Sequence, residues 1–479
     1  MKVGKKQIYI IVLELCALLC SALYLGLYGS SLTFAKYSRF GVVVLLLDLV
    51  LFCIAQKRIV TIQTLFLMLF VLFQFGLPTV YAFNPKHYNF YMTLFSEKTL
   101  ISAVKYTIFA IQTYIIIATC VISNRNHAEK KGKVGKWTRT ILTHPRDVED
   151  AALLLFIITA IVAVPVNLWS AVRALTAGVA IGNLYRGAMA ANGLTRFLQE
   201  FFFSSALLYL CFSNKKKRKK VVVAVYLVVA LSMVLVADRS GGVTALIVCA
   251  LYYYYTGDKR KRKKNTLVLI GVGVVLAIVS SAVASIRSGE SSQSGISLLF
   301  SALEEMGFNL SRLCFVMDYI PSRTSYRLGM SYIVALILLI PKSLGLGAVY
   351  PKLQSYLGET WLWNANNLYG RDFLSFGVGF SMIAESYYNF SWCGLVVMIP
   401  LAVIITHLLK EKKFENAWSL YIRLALMLSF FTVPRRQFQS VIKAIEYSVF
   451  FMALYLLVYI GTKRKDKHNE TANDINRCI

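Results

Sequence analysis

The chain has 479 residues, of which 57% are apolar and 16% charged, with a formal net charge of +29. Such a composition excludes a string of soluble domains. The positive charge collects in short loops between apolar runs, which sets aside nucleic-acid binding.

Apolar runs of about 20 residues, the length one helix needs to cross a bilayer, recur along the chain. Twelve spans are predicted, near 8–29, 38–56, 59–80, 101–123, 151–171, 197–213, 221–237, 242–257, 266–286, 391–410, 417–434 and 439–461. No small-residue cleavage site follows the first run, so it reads as a retained span. Lys2, Lys5 and Lys6 precede span one, and Lys57 and Arg58 follow span two. Seven Lys or Arg fall in 125–146, six in 215–220 and six in 259–264. Further clusters follow spans ten and twelve. All of these fall on one side of a twelve-span topology, and the excess of Lys and Arg in cytoplasmic loops makes that side the cytoplasm. Both termini are then cytoplasmic. The expected fold is an all-α integral membrane protein, one polytopic domain over 1–479.

The opposite, external face has a segment at 172–196, a long loop at 287–390 between spans nine and ten, and a short turn, Pro434-Arg435-Arg436-Gln437. The long loop holds Trp361 and Trp363. Its apolar stretch from Ser331 to Ile340 ends at Pro341. That stretch is too short to cross and predicts a re-entrant or interface-lying helix. The nine cysteines contain no CxxC pair and fall mostly in spans, so no disulfide framework is expected.

Metal and nucleotide chemistry find no support. His87, His127, His144, His407 and His468 are scattered, and Gly377-Val378-Gly379 lacks the lysine of a P-loop. No cofactor is expected. The external face instead collects arginines against the topological bias: Arg239, Arg287, Arg312, Arg323, Arg327, Arg371, Arg435 and Arg436 among them. The planar guanidinium fork suits phosphate. The bland alternative is that these arginines pair with Glu304, Glu305, Asp318 or Asp372. Arg239 stands apart, because the 221–257 segment must cross twice with no slack. Its turn should sit at headgroup depth, where a charge needs a partner or water. Glu385, just before span ten, is the candidate general base, since partial desolvation raises a carboxylate toward a useful range. A headgroup-level Glu paired with arginine is the plainer reading. Arg435 and Arg436 would clamp a lipid phosphate or snorkel to ordinary phospholipid.

The stretch Gly379-Phe380-Ser381-Met382-Ile383-Ala384-Glu385-Ser386-Tyr387-Tyr388-Asn389-Phe390 resembles the O-antigen and capsule repeat-unit polymerases of the Wzy type. So do the Tyr332–apolar–Pro341 pattern and the Arg239 turn. The paired Arg-x10-Gly loops of some members are absent: the residues eleven after Arg173 and Arg186 are Leu184 and Phe197. The resemblance implies a GT-C-like, metal-independent membrane glycosyltransferase of the bacterial inner membrane. It implies an undecaprenyl-pyrophosphate-linked oligosaccharide as substrate, membrane lipids and a chain-length regulator as partners, and transfer of the growing glycan at the outer face. Glu385, Arg239 and Arg371 would be catalytic. Arg287, Arg323, Arg327, Asn389, Arg435 and Arg436 would bind substrate, and Trp361, Trp363 and Tyr387 would offer faces to sugar rings. The interfacial aromatic belt is the plainer reading of those aromatics. The alternatives are an O-antigen ligase, which has similar topology and donor and differs in acceptor, and a flippase or transporter of lipid-linked oligosaccharide. A flippase would favour charges inside the spans, where few occur: Glu14, Asp48, Lys105, Arg423 and Glu446.

Overall fold

The structure is a computed structural model that describes residues 5–27, 33–56, 61–87, 92–123, 145–176, 193–235, 239–257, 271, 296–340, 348–368, 379–409 and 417–478. Helix dominates these residues, and no strand occurs among them. Eight of the described helical stretches are long and apolar enough to cross a membrane. The first five lie in α1 (Lys5–Leu27), α2 (Phe34–Gln56), α3 (Ile62–Phe83), α4 (Glu97–Ser123) and α5 (Pro145–Thr176). The other three cover Met382–Leu409, Ala417–Arg435 and Gln439–Thr462. Predicted spans one to five and ten to twelve coincide with them. Spans six and eight correspond to the shorter apolar helices within α6 (Gly193–Phe212) and α8 (Arg239–Thr256). Span seven is α7 (Lys216–Leu235), whose first turn is the basic run itself. Span nine, at 266–286, lies outside the described residues apart from Gly271.

The chain divides into two compact units. One comprises Met1–Lys130, Gln293–Glu411 and Phe430–Lys443; the other Lys131–Ser292, Lys412–Ser429 and Ala444–Ile479. In the second unit α7 and α8 form the tight hairpin expected from the 221–257 spacing. The Tyr226 hydroxyl donates to the Ala245 carbonyl at 2.9 Å. A Cβ on Gly242 would meet the Ala230 carbonyl oxygen at 2.5 Å, so α8 approaches α7 at backbone distance.

The first unit contains α1–α4 and, from Gln293 on, the long segment between predicted spans nine and ten. In that segment the structure forms α9 (Ile296–Gly307), α10 (Asn309–Tyr319), α11 (Met330–Ile337), α12 (Tyr350–Gln354), α13 (Gly358–Leu368) and α14 (Met382–Phe390). A 3-10 segment, Ser391–Val397, leads into α15 (Met398–Leu409). Beyond come α16 (Ala417–Phe430) and α17 (Gln439–Cys478). Thr61 caps α3, its hydroxyl accepting from the Thr64 N–H at 3.0 Å. The helix then packs against α9 through two glycines: a Cβ on Gly76 would lie 2.5 Å from the Leu303 carbonyl oxygen, and one on Gly307 would strike Gly76 and Leu77. Polar groups inside these spans find partners across helices. Thr119 donates to Glu14 at 2.8 Å, Gln112 to Asp48 at 3.1 Å, and the Lys105 ammonium sits 5.0 Å over the Tyr37 ring. The loop is thereby seated on a packed helical base.

Candidate functional site

The stretch that carried the family resemblance folds as α14 and is held on every side. Gly379 precedes it at φ +64°, a left-handed conformation that favours glycine. Ser381 caps the helix, its hydroxyl accepting from the Ala384 N–H at 3.1 Å. Eight of the nine helix residues are then buried, Met382 through Asn389.

Glu385 is 0% exposed. One carboxylate oxygen accepts from the Ser331 hydroxyl of α11 at 2.7 Å, and the other from the Phe438 N–H at 2.5 Å. Both are donors aimed at carboxylate oxygens, an arrangement that favours the charged form. Asn389, one turn later, donates to Ser331 at 2.8 Å and accepts from the Gly329 N–H at 3.0 Å. The Ser386 hydroxyl meets the Tyr106 hydroxyl of α4 at 2.8 Å. Arg327 donates through Nε to the Tyr388 hydroxyl at 2.9 Å and lies over the Tyr356 and Tyr388 rings.

The second half of the site is the turn between α16 and α17. A 3-10 turn, Val433–Arg435, starts it, and Phe438 ends it by opening α17. Four groups from four places in the fold grip this short segment. Gln74 of α3 donates to the Pro434 carbonyl. Arg312 of α10 donates through Nη1 to the Arg435 carbonyl at 3.2 Å. Gln437, itself buried, accepts from the Glu359 N–H at the start of α13 at 3.2 Å. Glu385 takes the Phe438 N–H. The side chains on the turn divide: Arg435 is half-buried with its guanidinium 5.8 Å over the Phe73 ring, while Arg436 is exposed.

Arg312 is the unexpected member. It is only 6% exposed. Nη1 makes both of its hydrogen bonds, to Asn309 and to the Arg435 carbonyl, while Nε has no partner. The Asn309 amide nitrogen is also unpartnered. Among the described residues no carboxylate lies within ion-pair distance of Arg312. Burial, then the positive charge of Arg435, pull its guanidinium below the ordinary value, and Glu359 opposes them. A buried cation of this kind costs several kcal/mol by itself, which a bound anion would offset. Gly379 sits directly against this guanidinium, with its Cβ position 3.8 Å from Nη2, so α14 and the arginine turn share one border.

The other expected residues are placed as follows. Trp361 is buried against Tyr388 and Tyr319, and Tyr387 against Tyr106 and Tyr326, so both rings pack in the interior. Trp363 is 39% exposed. Arg323 is exposed, with its guanidinium 5.2 Å over the Tyr319 ring. Arg287, Arg371 and the side chain of Arg239 lie outside the described residues; the Arg239 backbone opens α8. The sequence reading did not single out Ser331, Gln74, Gln437, Asn309 or Arg312. Only Arg312 had a signal, as one of many external arginines.

The sequence model of O-antigen polysaccharide polymerase Wzy matches residues 6–467. This chain belongs to the Wzy family. Curated proteins and solved structures give no match. Wzy proteins are polysaccharide polymerases of the membrane that act on lipid-linked repeat units, and the all-α multi-pass fold agrees with that membership. The Gly379–Phe390 stretch that suggested this Wzy family from sequence borders the clamped arginine turn.

Proposed function

We propose that this Wzy protein transfers a growing glycan from undecaprenyl pyrophosphate onto a lipid-linked repeat unit, with the clamped Val433–Phe438 turn receiving the leaving pyrophosphate. One observation carries this: a surface arginine turn is immobilised from four sides beside a buried guanidinium with donor capacity to spare. In the reaction an acceptor sugar hydroxyl attacks the anomeric carbon. The bond from that carbon to the pyrophosphate oxygen breaks, the pyrophosphate departs with the electron pair, and the hydroxyl proton passes to water or to the departing pyrophosphate. Negative charge develops on the pyrophosphate, and donors fixed in advance stabilise it without reorganising. Arg435 and Arg436 are the direct contacts from the turn in this reading, and the spare donor of Arg312 is a third contact. Arg239, Arg287, Arg323, Arg327 and Arg371 remain further contacts from the sequence, and Trp363 is a face for a sugar ring.

Glu385 takes a positioning part. Both of its oxygens are engaged and neither meets solvent, so its contribution is to fix the turn and the start of α17. Asn389 supports it by orienting Ser331. Acting as the base would require Glu385 to exchange the Ser331 hydroxyl for the acceptor hydroxyl. The transfer needs no metal in this reading, because arginine does the work of charge neutralisation. The distribution of Lys and Arg supports cytoplasmic termini and a site on the outer face of the inner membrane. A chain-length regulator would act from outside the site.

The test is reconstitution with purified lipid-linked repeat units, followed by sizing of the products. A ladder of repeat lengths is expected. A single transfer onto a different acceptor would instead make the enzyme a ligase.

A further inference from the structure

We infer that α11 lies along the membrane surface with one face immersed in lipid hydrocarbon, and so fixes the depth of the Glu385 network in the bilayer. The helix has two unlike faces. Ser331, Val334, Ala335 and Leu338 are buried; Ser331 faces Glu385, and Val334 and Leu338 pack against Leu357. The other face carries Met330 at 37%, Ile333 at 50% and Leu336 at 51% exposure. Those three recur every three residues, a continuous apolar stripe. Eight helical residues rise only about 12 Å, far short of the roughly 30 Å of hydrocarbon, so the helix does not cross.

Its position in the fold identifies what covers the stripe. The segment entering α11 is stitched to the residues that immediately precede the apolar part of Met382–Leu409. The Arg327 N–H donates to the Tyr388 carbonyl at 3.2 Å and the Leu328 N–H to the Asn389 carbonyl at 3.0 Å. Gly329, at φ +88°, closes against the Phe390 ring, and Tyr332 stacks on that ring at 6.5 Å. Two residues beyond Phe390 the span already presents Trp392 and then Val396 outward, at 41% and 65% exposure. α11 is therefore tied to the depth at which a membrane span begins. An apolar stripe at that depth meets acyl chains, with Arg327 in reach of the phosphate layer. The inference rests on membrane placement alone and is independent of the reaction proposed above.

Nitroxide labels at Ile333→Cys and Leu336→Cys test it, in a full-length cysteine-replaced chain that still makes polymer, reconstituted in liposomes. Val396→Cys is the lipid reference and Ser355→Cys the aqueous one. Expected at 333 and 336 is collision with oxygen exceeding that with a water-soluble nickel chelate, as at 396. Nickel access equal to that at 355 would overturn the inference. Low access to both reagents would also overturn it, since protein would then cover the stripe. Should the labelled variants fail to insert, Ile333→Trp in the parental chain gives a second reading. Brominated lipids should quench its added fluorescence, and absence of quenching would refute lipid contact.

Discussion

Glu385 is the residue at which a positioning role and a base role give opposite results, and Glu385→Gln against Glu385→Ala separates them. Glutamine keeps a carbonyl oxygen for the Phe438 N–H, and its amide can donate to the Ser331 oxygen. The loss is one charge-assisted bond weakened and one hydroxyl proton redirected, about 1 kcal/mol. Alanine removes both acceptors. It leaves the Phe438 N–H and the Ser331 hydroxyl buried without their partner, at about 1–3 kcal/mol each, and frees the end of the arginine turn. If Glu385 positions, Glu385→Gln should retain polymerisation to within about tenfold, while Glu385→Ala should lose most of it together with pyrophosphate binding. If Glu385 is the base, Glu385→Gln should fall by about 10²–10⁴ with folding and donor binding intact. The assay is the initial rate of repeat addition in proteoliposomes, alongside thermal unfolding of each variant. A loss of that size in a Glu385→Gln enzyme of unchanged stability would refute the positioning argument.

Other expectations follow from the same geometry. Arg312→Gln should abolish thermal stabilisation by inorganic pyrophosphate and weaken donor use by about 10- to 100-fold, the worth of one or two charged hydrogen bonds, as titration of each would register. Gly307→Leu should drive α9 off α3 and cost about 3 kcal/mol or more, read as loss of the folded fraction in detergent. Purified enzyme should polymerise at an unchanged rate in EDTA; loss restored by one specific metal would contradict this. A cysteine at 355 should react with an impermeant thiol reagent applied from outside intact cells, and one at 262 should not.

The spans were legible because a membrane helix is written in one dimension: about 20 apolar residues and a charge bias in the loops. α11 was legible for a related reason, an apolar run too short to cross. The site was only half legible. Glu385 and Asn389 stand in a recognisable stretch, yet nothing local tells that Glu385 faces a backbone N–H 53 residues away and is sealed from solvent. Arg312 looked like any loop arginine, since its burial, and the lack of a carboxylate within ion-pair distance among the described residues, are properties of three-dimensional neighbours. Trp361 and Tyr387 fit sugar-facing aromatics by type, and only packing shows them turned into the protein.

The four grips on the arginine turn also set an order of assembly. Its partners are Gln74, Arg312, Glu359 and Glu385, which lie 360, 123, 78 and 53 residues earlier by the bonds they make. All precede the turn in the chain. During synthesis each has already been made when the Val433–Phe438 segment arrives, so the turn is the last part of this arrangement to appear. A chain released just before that point carries all four partners but not the turn that they grip.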